Sequence, residues 1–473
     1  MSTGLMWFRR DLRLRDNTAL HHALAACEKV YCVFCFDREI LDRIEDKSDR
    51  RVDFIHQCVS ELDTELSKLG SSLIVRYARA SEDIPTLART LNADRVYANH
   101  DYEPRRISRD QAVGMALQRD GRELLTYKDH VVFERNEIIN QSGLPFRVYT
   151  PYKKAWRSAL RDEHIAERDC SLKNGKFAKP LPAWSHAWTL GDLGFSKSDL
   201  TVAGGMCAAR AMFEEFLQRI DHYRDLRDFP AADGVSRLSV HLRFGTISIR
   251  ELVREAIKRS SAGAATWVDE LIWREFYNMI LHFFPHTQSH AFQTDLDDLP
   301  WRRDREQFGA WCEGRTGYPI VDAAMRELNA TGYMHNRARM IVASFLTKDL
   351  LIDWCWGERY FARKLLDYDL SQNLGGWQWS ASIGTDAQPY FRVFNPVLQS
   401  ERFDPAGVYI RRFVPELRHY PNHAIHEPWK TPPISQAQFK CVIGRDYPEP
   451  IVDHDESRRA AVEMFRVARS RST

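Results

Sequence analysis

The sequence contains no apolar run long enough to cross a membrane. Its longest uninterrupted apolar stretch is 30–36, whereas a spanning helix needs roughly 20 residues. Arg9 and Arg10 come before any apolar run of useful length, so no secretory signal is indicated. We therefore expect a cytoplasmic protein that makes no membrane contact.

A large excess of one charge sign is also missing. The 67 lysines and arginines nearly balance the 65 aspartates and glutamates, which leaves a formal net charge of +2. This balance excludes nucleic-acid binding through overall basicity, although it allows a local basic patch. The hydrophobic content of 44% is ordinary for a globular protein and excludes extended disorder.

The cysteines do not suggest a disulfide framework. They number nine, which is odd, and most lie in apolar patterns that are typical of reduced cytosolic thiols. Cys32 and Cys35 form a C-x-x-C pair within a predicted strand, where residues three apart face opposite sides. We therefore predict neither a redox nor a metal site at this pair.

The first 130 residues alternate apolar segments with amphipathic helical patterns, which predicts a doubly wound parallel sheet. The predicted strands are 4–8, 29–36, 72–77, 94–99 and 123–126, and the predicted helices are 17–28, 51–69 and 107–118. No G-x-G-x-x-G follows the first strand. The domain is therefore predicted to be Rossmann-like in topology but to lack the glycine cradle for a dinucleotide.

Beyond residue 130 the pattern changes twice. Residues 131–200 contain four prolines and scattered polar residues, and we interpret them as an interdomain connector that is partly ordered around 149–156. From 201 to 473 the apolar residues recur at helical spacing, with helices predicted at 208–220, 249–259, 265–281, 319–329, 337–351 and 456–466. The predicted fold class is thus an α/β domain at 1–130 and an all-α domain at 201–473.

Tryptophan is concentrated in one part of the chain. Eight of the 13 tryptophans lie between residues 267 and 379, among carboxylates, amides and arginines that are costly to bury without a partner or a ligand. Trp377 and Trp379 are two residues apart, so they cannot share a helix face. Gly375 and Gly376 are expected to break the preceding helix.

Several long segments, in the same order along the chain, resemble photolyases and cryptochromes. They are 7–17 (WFRRDLRLRDN), 227–230 (RDFP), 236–239 (SRLS), 270–277 (ELIWREFY), 316–326, 334–340, 367–379 and 384–396. The resemblance covers nearly the whole chain and favours the class I cyclobutane pyrimidine dimer (CPD) photolyases. It implies light-driven repair of these dimers in DNA, by electron transfer from photoexcited reduced FAD to a dimer flipped out of the duplex.

The resemblance also implies that FAD is bound in the helical domain. The family's cofactor-binding positions are occupied by Tyr223, Val235, Ser236, Arg237, Leu238, Ser239, Trp267, Arg274, Arg339, Asp367, Tyr368, Asp369 and Asn373. Val235 replaces a threonine that is frequent in the family, so a hydroxyl contact is lost there. Asn373 matches the position beside the reactive edge of the flavin, and Arg339 is expected to pair with Asp367.

The same resemblance implies a pocket for damaged DNA. The DNA-binding positions are Arg227, Glu270, Trp273, Arg274, Tyr277, Asn336, Arg337, Met340, Trp379, Arg392 and Gln399. The catalytic positions are Glu270, Asn336 and Asn373. Trp273, Met340 and Trp379 would line the pocket, where stacking on an aromatic ring contributes roughly 1–3 kcal/mol per base. Contacts from arginines to phosphates would make binding depend on salt but not on base sequence.

Three tryptophans match an electron-transfer chain of the family. Trp377, Trp354 and Trp301 would lead from the flavin to the surface, because indole is among the few side chains that are easily oxidised. The apolar stripe of its own segment also directs Trp354 inward. Trp301 and Trp311 are expected to be peripheral, the latter with a structural role only.

A second, antenna chromophore is expected in residues 1–130. Folate-binding relatives carry a polar and an acidic residue just after the segment that corresponds to 99–103, where this chain has Arg105 and Arg106. Because an arginine replaces the usual carboxylate, a deazaflavin, another chromophore and a rearranged site for methenyltetrahydrofolate all stay open.

Two other functions share this fold. Three features disfavour a cryptochrome-like blue-light photoreceptor without repair activity. Plant receptors have an aspartate where this chain has Asn373, and this chain retains Met340 and Gln399 of the substrate site. We also expect no C-terminal signalling extension. Repair of six-four photoproducts would require a pair of histidines around Asn336, where the chain has only His335. We therefore predict a monomer that repairs CPDs in UV-damaged DNA.

Overall fold

A computed structural model describes residues 2–170, 175–184 and 186–471 of the protein. Residue contacts divide the chain into two compact units. The first, the sheet unit, comprises 1–144, 152–221 and 236–279, and the second, the helical unit, comprises 145–151, 222–235 and 280–473. Residues 171–174 and 185 of the predicted connector lie outside the described residues, as do residues 1, 472 and 473.

Five parallel strands form a single sheet in the sheet unit. They are β1 Thr3–Phe8, β2 Lys29–Asp37, β3 Leu73–Ala78, β4 Arg95–Asn99 and β5 Glu123–Tyr127. Their order across the sheet is β3-β2-β1-β4-β5. Each strand lies within one residue of its predicted bounds, since buried parallel strands appear in a sequence as continuous apolar runs.

The described chain also contains 21 α-helices, which make up nearly half of it. In chain order they are α1 Thr18–Ala26, α2 Arg38–Leu41, α3 Arg50–Lys68, α4 Ala80–Thr90, α5 Pro104–Arg119, α6 Tyr149–Ala159, α7 Asp162–Ile165, α8 Met206–Leu217, α9 Tyr223–Leu226, α10 Ser239–Phe244, α11 Ile249–Ile257, α12 Ala262–Phe283, α13 Arg305–Glu313, α14 Pro319–Thr331, α15 Asn336–Ser344, α16 Trp354–Lys364, α17 Leu370–Ser380, α18 Pro396–Phe403, α19 Val408–Phe413, α20 Pro433–Gln438 and α21 His454–Arg471. The predicted fold class, a doubly wound α/β sheet followed by a helical region, is confirmed.

Helices α4 and α5 cover one face of the sheet through a core that contains Trp7, Cys35 and Ile84. Helix α4 was absent from the predicted helices because Pro85 lies inside it, and proline has the lowest helix propensity. Cys32 and Cys35 are both buried and free, and burial raises the pKa of Cys35 to about 12. A pKa in this range disfavours the thiolate, which is the reactive form of the side chain.

A buried charge cluster lies beside the sheet. The Asp129 carboxylate accepts hydrogen bonds from Arg13 Nη2 at 2.6 Å and from Arg250 Nη2 at 2.8 Å, and from the Thr18 hydroxyl at 3.0 Å. All four residues are buried. Although burial alone would raise the pKa of Asp129, the two guanidinium groups hold it well below its usual value. The carboxylate is therefore ionised and links 13–18, 129 and α11.

Helix α14 lies at the centre of the helical unit's core, with nine of its residues buried. The helix predicted at 337–351 is divided, since α15 ends at Ser344 and a π-helical turn, Phe345–Asp349, follows it. The Leu350 N–H donates to the Phe345 carbonyl at 3.0 Å, which is the bond of this wider turn. No helix among the described residues is both long and apolar enough to span a membrane.

Two expectations about the tryptophan-rich region are wrong. Helix α17 continues through Gly375 and Gly376, because buried Leu374 and Trp377 anchor it to the core, and that packing outweighs a glycine cost of roughly 1 kcal/mol per residue. Trp311 is fully buried, not peripheral. Its indole N–H donates to the Val342 carbonyl at 3.1 Å. The expectation failed because the polar neighbours of Trp311 lie on the outer face of α13, away from the indole.

Candidate active site

In the helical unit, the first turn of α15 presents several predicted site residues. The His335 ring accepts a hydrogen bond from the Arg337 N–H at 3.1 Å, which caps the helix. Asn336 is exposed, and its Nδ2 lies 3.8 Å from Sδ of the half-buried Met340, one turn later. The helix thus presents an amide and a thioether side by side on an accessible face, a combination that suits a base as ligand.

Two arginines at predicted DNA-binding positions are engaged inside the helical unit. Arg337 Nη2 donates to Asp228 Oδ1 at 2.9 Å, and the guanidinium lies 4.3 Å from the Phe403 ring centroid. The Arg227 guanidinium lies 5.5 Å from the ring centroid of buried Tyr223. Stacking on a ring holds each guanidinium flat and limits the rotamers it can adopt.

The expected pair between Arg339 and Asp367 is present. Arg339 Nη2 lies 2.8 Å and 3.1 Å from the two Asp367 oxygens, and its Nε donates to the Met334 carbonyl at 2.8 Å. The neighbouring Asp369 is buried and accepts a hydrogen bond from the Ser371 hydroxyl at 2.7 Å. These contacts fix the segment between α16 and α17 as a rigid polar wall.

Asn373 lies on α17 with its amide nitrogen fully used. Asn373 Nδ2 donates to Glu358 Oε1 at 3.0 Å and to the Glu358 carbonyl at 3.1 Å. The Tyr368 hydroxyl donates to the same Oε1 at 3.4 Å. Burial raises the pKa of Glu358, and the bonds from Asn373 and Tyr368 oppose that rise.

Open space adjoins Asn373 on its helix face. Gly376 lies three residues after Asn373, so the two share a face of α17. A Cβ added at Gly376 would meet no described atom within 4 Å. The half-buried Trp379 lies three residues farther along the helix. Within the described residues the Asn373 amide oxygen accepts no hydrogen bond, and the open surface at Gly376 lies on the same helix face, which fits the edge and the plane of an aromatic ligand such as a flavin.

The three tryptophans of the predicted electron-transfer chain differ in burial. Trp377 and Trp354 are buried, as expected for Trp354, whereas Trp301 is half-buried. The ring contacts of Trp377 are to Phe361 and Trp311, with centroids 5.0 Å and 6.0 Å away. Gly357 permits the packing of Trp377, since a Cβ at that position would overlap the indole ring.

The remaining predicted residues of the helical unit lie on two loops and on α18. Arg392 is exposed, and its carbonyl accepts a hydrogen bond from the Gln388 side chain. Gln399 Oε1 is buried without a hydrogen-bond partner in the described part of the chain. Val235 is half-buried, and as an aliphatic residue it offers a ligand only backbone groups.

In the sheet unit, α12 presents Glu270, Trp273, Arg274 and Tyr277 on one face, since their spacings of three and four residues match the helical repeat. All four are half-buried. The Trp273 and Tyr277 ring centroids are 5.4 Å apart, and Arg274 Nη1 donates to the carbonyl of His130 at 2.5 Å.

Glu275 holds the opposite side of α12 in place. The carboxylate is buried and accepts hydrogen bonds from the Trp156 indole at 2.5 Å and from the N–H groups of Val132 and Phe133 at 2.5 Å and 3.2 Å. Burial raises the pKa of Glu275 to about 7, while these three donors favour the ionised form. The residue therefore fixes the rotation of the helix that carries the predicted site residues.

Among the predicted cofactor residues of the sheet unit, Ser236 contacts Trp267. This indole is buried between Phe213 and Phe216, and its Nε1 donates to the Ser236 hydroxyl at 3.4 Å. Arg237 has a φ of 54°, a left-handed conformation that is uncommon for a side-chain-bearing residue. Leu238 is buried, and Ser239 begins α10 and is exposed. The strained backbone turns 236–239 into a tight loop.

The arginines at the predicted antenna positions differ in their surroundings. Arg105 is exposed, whereas Arg106 Nε lies 2.9 Å from Glu103 Oε2 and 3.6 Å from Asp101 Oδ2. Although burial alone would raise the pKa of Asp101, nearby arginines, above all Arg10, hold it well below its usual value. Arg106 is thus committed to carboxylates of its own unit.

The sequence interpretation missed two site residues. Glu358 and Glu275 each lie in helices that also carry predicted residues or their neighbours, but a single glutamate in an amphipathic helix resembles an ordinary surface residue. For Glu275, a usable signal was its place on the apolar side of α12, next to buried Phe276. For Glu358, no comparable signal exists, because its partner lies 15 residues away on another helix.

Comparison with known proteins identifies relatives of this chain. Residues 4–171 match the family model described as DNA photolyase, and residues 267–467 match that of the FAD binding domain of DNA photolyase. The deoxyribodipyrimidine photo-lyase of Alkalihalophilus pseudofirmus is 40% identical, with 98% of each chain covered. Among solved structures, the class III photolyase of Agrobacterium tumefaciens is 34% identical with a TM-score of 0.91, covering 99% of this chain and 98% of its own. The Sulfolobus tokodaii photolyase with two FAD molecules is 36% identical with a TM-score of 0.84, covering 98% and 99%.

Proposed function

Because this chain belongs to the DNA photolyase family, we propose that it is a deoxyribodipyrimidine photo-lyase, an enzyme that uses light to split cyclobutane pyrimidine dimers in DNA. The structural observation that carries the proposal is the α17 face, where Asn373 Oδ1 and the open surface at Gly376 adjoin each other. A face of this kind accepts the edge and the plane of an aromatic cofactor.

FAD is the cofactor that these residues fit. In the helical unit, the proposed contacts come from Tyr223, Val235, Arg339, Asp367, Tyr368, Asp369 and Asn373. In the sheet unit, they come from Ser236, Arg237, Leu238, Ser239, Trp267 and Arg274. When bound and reduced, FAD supplies the light-excited electron that opens the dimer and that returns afterwards. The protein binds the cofactor, excludes water from it and holds Asn373 at a fixed orientation.

Damaged DNA is the proposed substrate. In the helical unit, Asn336, Met340 and Trp379 would contact the flipped-out bases, whereas Arg227, Arg337, Arg392 and Gln399 would contact the strand around them. On α12, the proposed contacts come from Glu270, Trp273, Arg274 and Tyr277, with Glu270 and Asn336 hydrogen-bonded to the dimer. Arg337 would have to exchange Asp228 for a phosphate, so its contribution should weaken as salt rises.

Trp377, Trp354 and Trp301 are proposed to carry electrons to oxidised FAD, not to take part in repair. Their burial, which decreases from the first two to the third, supports a path that ends at the surface. Trp377 Nε1 has no hydrogen-bond partner in the described chain. The proton of this indole therefore has no adjacent acceptor. An oxidised Trp377 would keep its proton, which favours its reduction by an electron from the next tryptophan of the chain.

The finer assignments are a class I CPD photolyase, a cytoplasmic monomer, and the domain organisation 1–130, 131–200 and 201–473. The class rests on the motifs quoted above, while the Agrobacterium tumefaciens relative belongs to class III. A phylogenetic tree of full-length relatives that grouped this chain within class III would overturn the class assignment. Light scattering during size-exclusion chromatography would test the monomer.

The antenna chromophore is proposed to bind in residues 1–130. The engagement of Arg106 with Glu103 and Asp101 leaves that arginine unavailable to a pterin, which supports a deazaflavin or a rearranged folate site. The two FAD molecules of the Sulfolobus tokodaii relative illustrate that antenna identity varies. Absorption and fluorescence spectra of chromophores released by acid from the purified protein distinguish these candidates.

One experiment tests the main proposal. The purified protein should show flavin absorption bands and, under blue light, should restore intact thymines in UV-irradiated oligothymidylate. Darkness and an unirradiated oligomer are the controls. A protein without flavin bands would contradict the cofactor assignment, and flavin binding without light-dependent repair would favour the photoreceptor alternative.

A further inference from the structure

We propose that Asp228 limits the binding of intact DNA, because its carboxylate competes with a DNA phosphate for Arg337. The inference rests on the proposed function, since it takes Arg337 as a phosphate contact. Asp228 lies in the helical unit, within the segment 227–230 (RDFP), of which only Arg227 was predicted to bind DNA.

Asp228 faces two of the arginines at predicted DNA-binding positions. Its Oδ1 accepts a hydrogen bond from Arg337 Nη2 at 2.9 Å and lies 3.9 Å from Arg227 Nε. The Asp228 side chain is 37% exposed, whereas those of Arg337 and Arg227 are 17% and 22% exposed. The carboxylate is therefore the most accessible of the three charged groups, and a phosphate that approaches the two arginines meets it as well.

The Arg337 guanidinium is held by a ring as well as by Asp228. It lies 4.3 Å from the ring centroid of Phe403, which is buried and packs against Phe229. Arg337 Nε is buried without a hydrogen-bond partner in the described chain. Nη1 and Nη2 are therefore the groups through which Arg337 can bind a phosphate, and Asp228 occupies Nη2. A phosphate at this end of the guanidinium comes close to a second negative charge, which weakens the contact unless the carboxylate moves away.

Two interpretations of this ion pair predict opposite effects on DNA binding. If Asp228 only positioned Arg337, loss of the carboxylate would loosen the arginine and weaken the binding. The contact with Phe403 favours competition instead, because the ring holds the guanidinium flat without help from a charge. A partly exposed ion pair is also weak, so it can be exchanged for a phosphate. We therefore expect removal of the carboxylate to strengthen DNA binding.

The expected effect follows from the charge that the protein presents to DNA. The pair of Arg337 and Asp228 carries no net charge, whereas Arg337 alone carries one positive charge. The logarithm of the binding constant falls by about 0.9 per neutralised phosphate for each tenfold rise in salt. One additional effective contact that has no influence near 1 M salt should therefore strengthen binding about eightfold at 0.1 M.

A restraint of this kind suits an enzyme that searches DNA for rare lesions. Binding to intact DNA is almost entirely electrostatic, and intact sites outnumber specific ones by orders of magnitude. A carboxylate that weakens one phosphate contact shortens the time spent on each intact site. The proposed contacts to flipped-out bases do not involve Asp228, so they are retained when a lesion is met.

Fluorescence anisotropy with an intact DNA duplex, repeated across salt concentrations, tests the inference. Asp228→Asn should bind about eightfold more tightly at 0.1 M salt, and its salt dependence should be steeper by about 0.9. Asp228→Glu keeps a carboxylate and should bind as the wild type does.

The matched control is Asp446→Asn, which changes the overall charge by the same amount. The Asp446 side chain is 35% exposed and pairs with Arg445 at 2.8 Å, and it contacts none of the predicted DNA-binding residues in the described chain. Its effect should stay within about twofold, because salt screens a distant charge. The same gain in Asp446→Asn as in Asp228→Asn would overturn the inference, since overall charge would then explain both.

A double variant tests whether Asp228 acts through Arg337. In an Arg337→Ala background, Asp228→Asn should lose most of its effect, because no guanidinium at 337 is left to release. Weaker or unchanged binding of intact duplex by Asp228→Asn would overturn the inference, as would a full gain in the absence of Arg337. If Asp228→Asn does not fold, Asp228→Ser also removes the charge and takes its place. Failure of the proposed function would appear in the wild type itself, as missing flavin absorption or missing repair.

Discussion

Replacement of Lys348 by methionine tests how the helical unit tolerates a buried amine. The Lys348 side chain is fully buried in the π-helical turn, and its Nζ lies 3.5 Å from the Phe465 ring centroid. No hydrogen-bond partner for this atom lies in the described chain. Burial lowers the pKa of Lys348 well below its usual value, and the positive charge of Arg469 lowers it further. The folded chain therefore releases the Lys348 proton at a lower pH than the unfolded chain does.

The cost to stability has a constant part and a part that depends on pH. A buried polar group without a partner costs about 1–3 kcal/mol, and methionine fills similar space without such a group. The unfolded lysine keeps its proton up to a pKa near 10.4, whereas the folded lysine loses it at a lower pH. Between the two pKa values the unfolded chain therefore binds one more proton. The wild-type free energy of unfolding then rises by about 1.4 kcal/mol per pH unit. The advantage of Lys348→Met should therefore shrink as the pH rises from the pKa of the folded lysine to that of the unfolded one.

Urea unfolding followed by tryptophan fluorescence, repeated across this pH range, measures the difference between Lys348→Met and the wild type. The matched control is Lys430→Met, because Lys430 is exposed and pairs with Glu427 at 2.7 Å. Its effect should stay below about 1 kcal/mol at every pH. A difference for Lys348→Met that did not change with pH would show that the folded lysine keeps its proton, and would refute the reasoning.

Three further predictions address other parts of the molecule. Asp129→Ala should lower the free energy of unfolding by about 3–5 kcal/mol, because it leaves buried Arg13 without its carboxylate and buried Arg250 with Asp16 alone; a urea midpoint equal to the wild type's would contradict this. Trp301→Phe should slow photoreduction of FAD but leave repair unchanged once FAD is reduced chemically, and a loss of repair would contradict the assignment of the tryptophans. Arg392→Ala should weaken binding to damaged DNA and reduce the salt dependence by about one phosphate contact, measured by fluorescence anisotropy across salt concentrations; altered preference for damaged over intact DNA would argue against a phosphate contact.

The sheet and the helical character of the second region were predictable because burial leaves a periodic trace in a sequence. The details that escaped prediction depend on contacts between distant residues. No helix was predicted over α4, which contains Pro85, although the sheet core holds that helix in place. Gly375 argued for an end to α17, but the buried neighbours of that glycine pack well enough to continue the helix. Trp311 looked peripheral because its polar neighbours occupy the opposite helix face.

In the candidate site, too, some features could be predicted and others depend on contacts between distant residues. The residue types at the predicted positions follow from a family resemblance, and no periodicity in this chain could have assigned them. The pair of Arg339 and Asp367 was expected, and the structure contains it. Glu358 and Glu275 were not expected, because each becomes notable only through the partners that folding brings to it.

The close packing of Gly357 against Trp377 also bears on how these positions can vary among homologues. No side chain fits at 357 while the indole at 377 keeps its place, and a Cβ there would meet Leu346 as well. A homologue that carries alanine or serine at 357 should therefore have a smaller ring or an aliphatic residue at 377. The two positions should covary, and a homologue that has a small residue at 377 and room at 346 should be free to gain a side chain at 357.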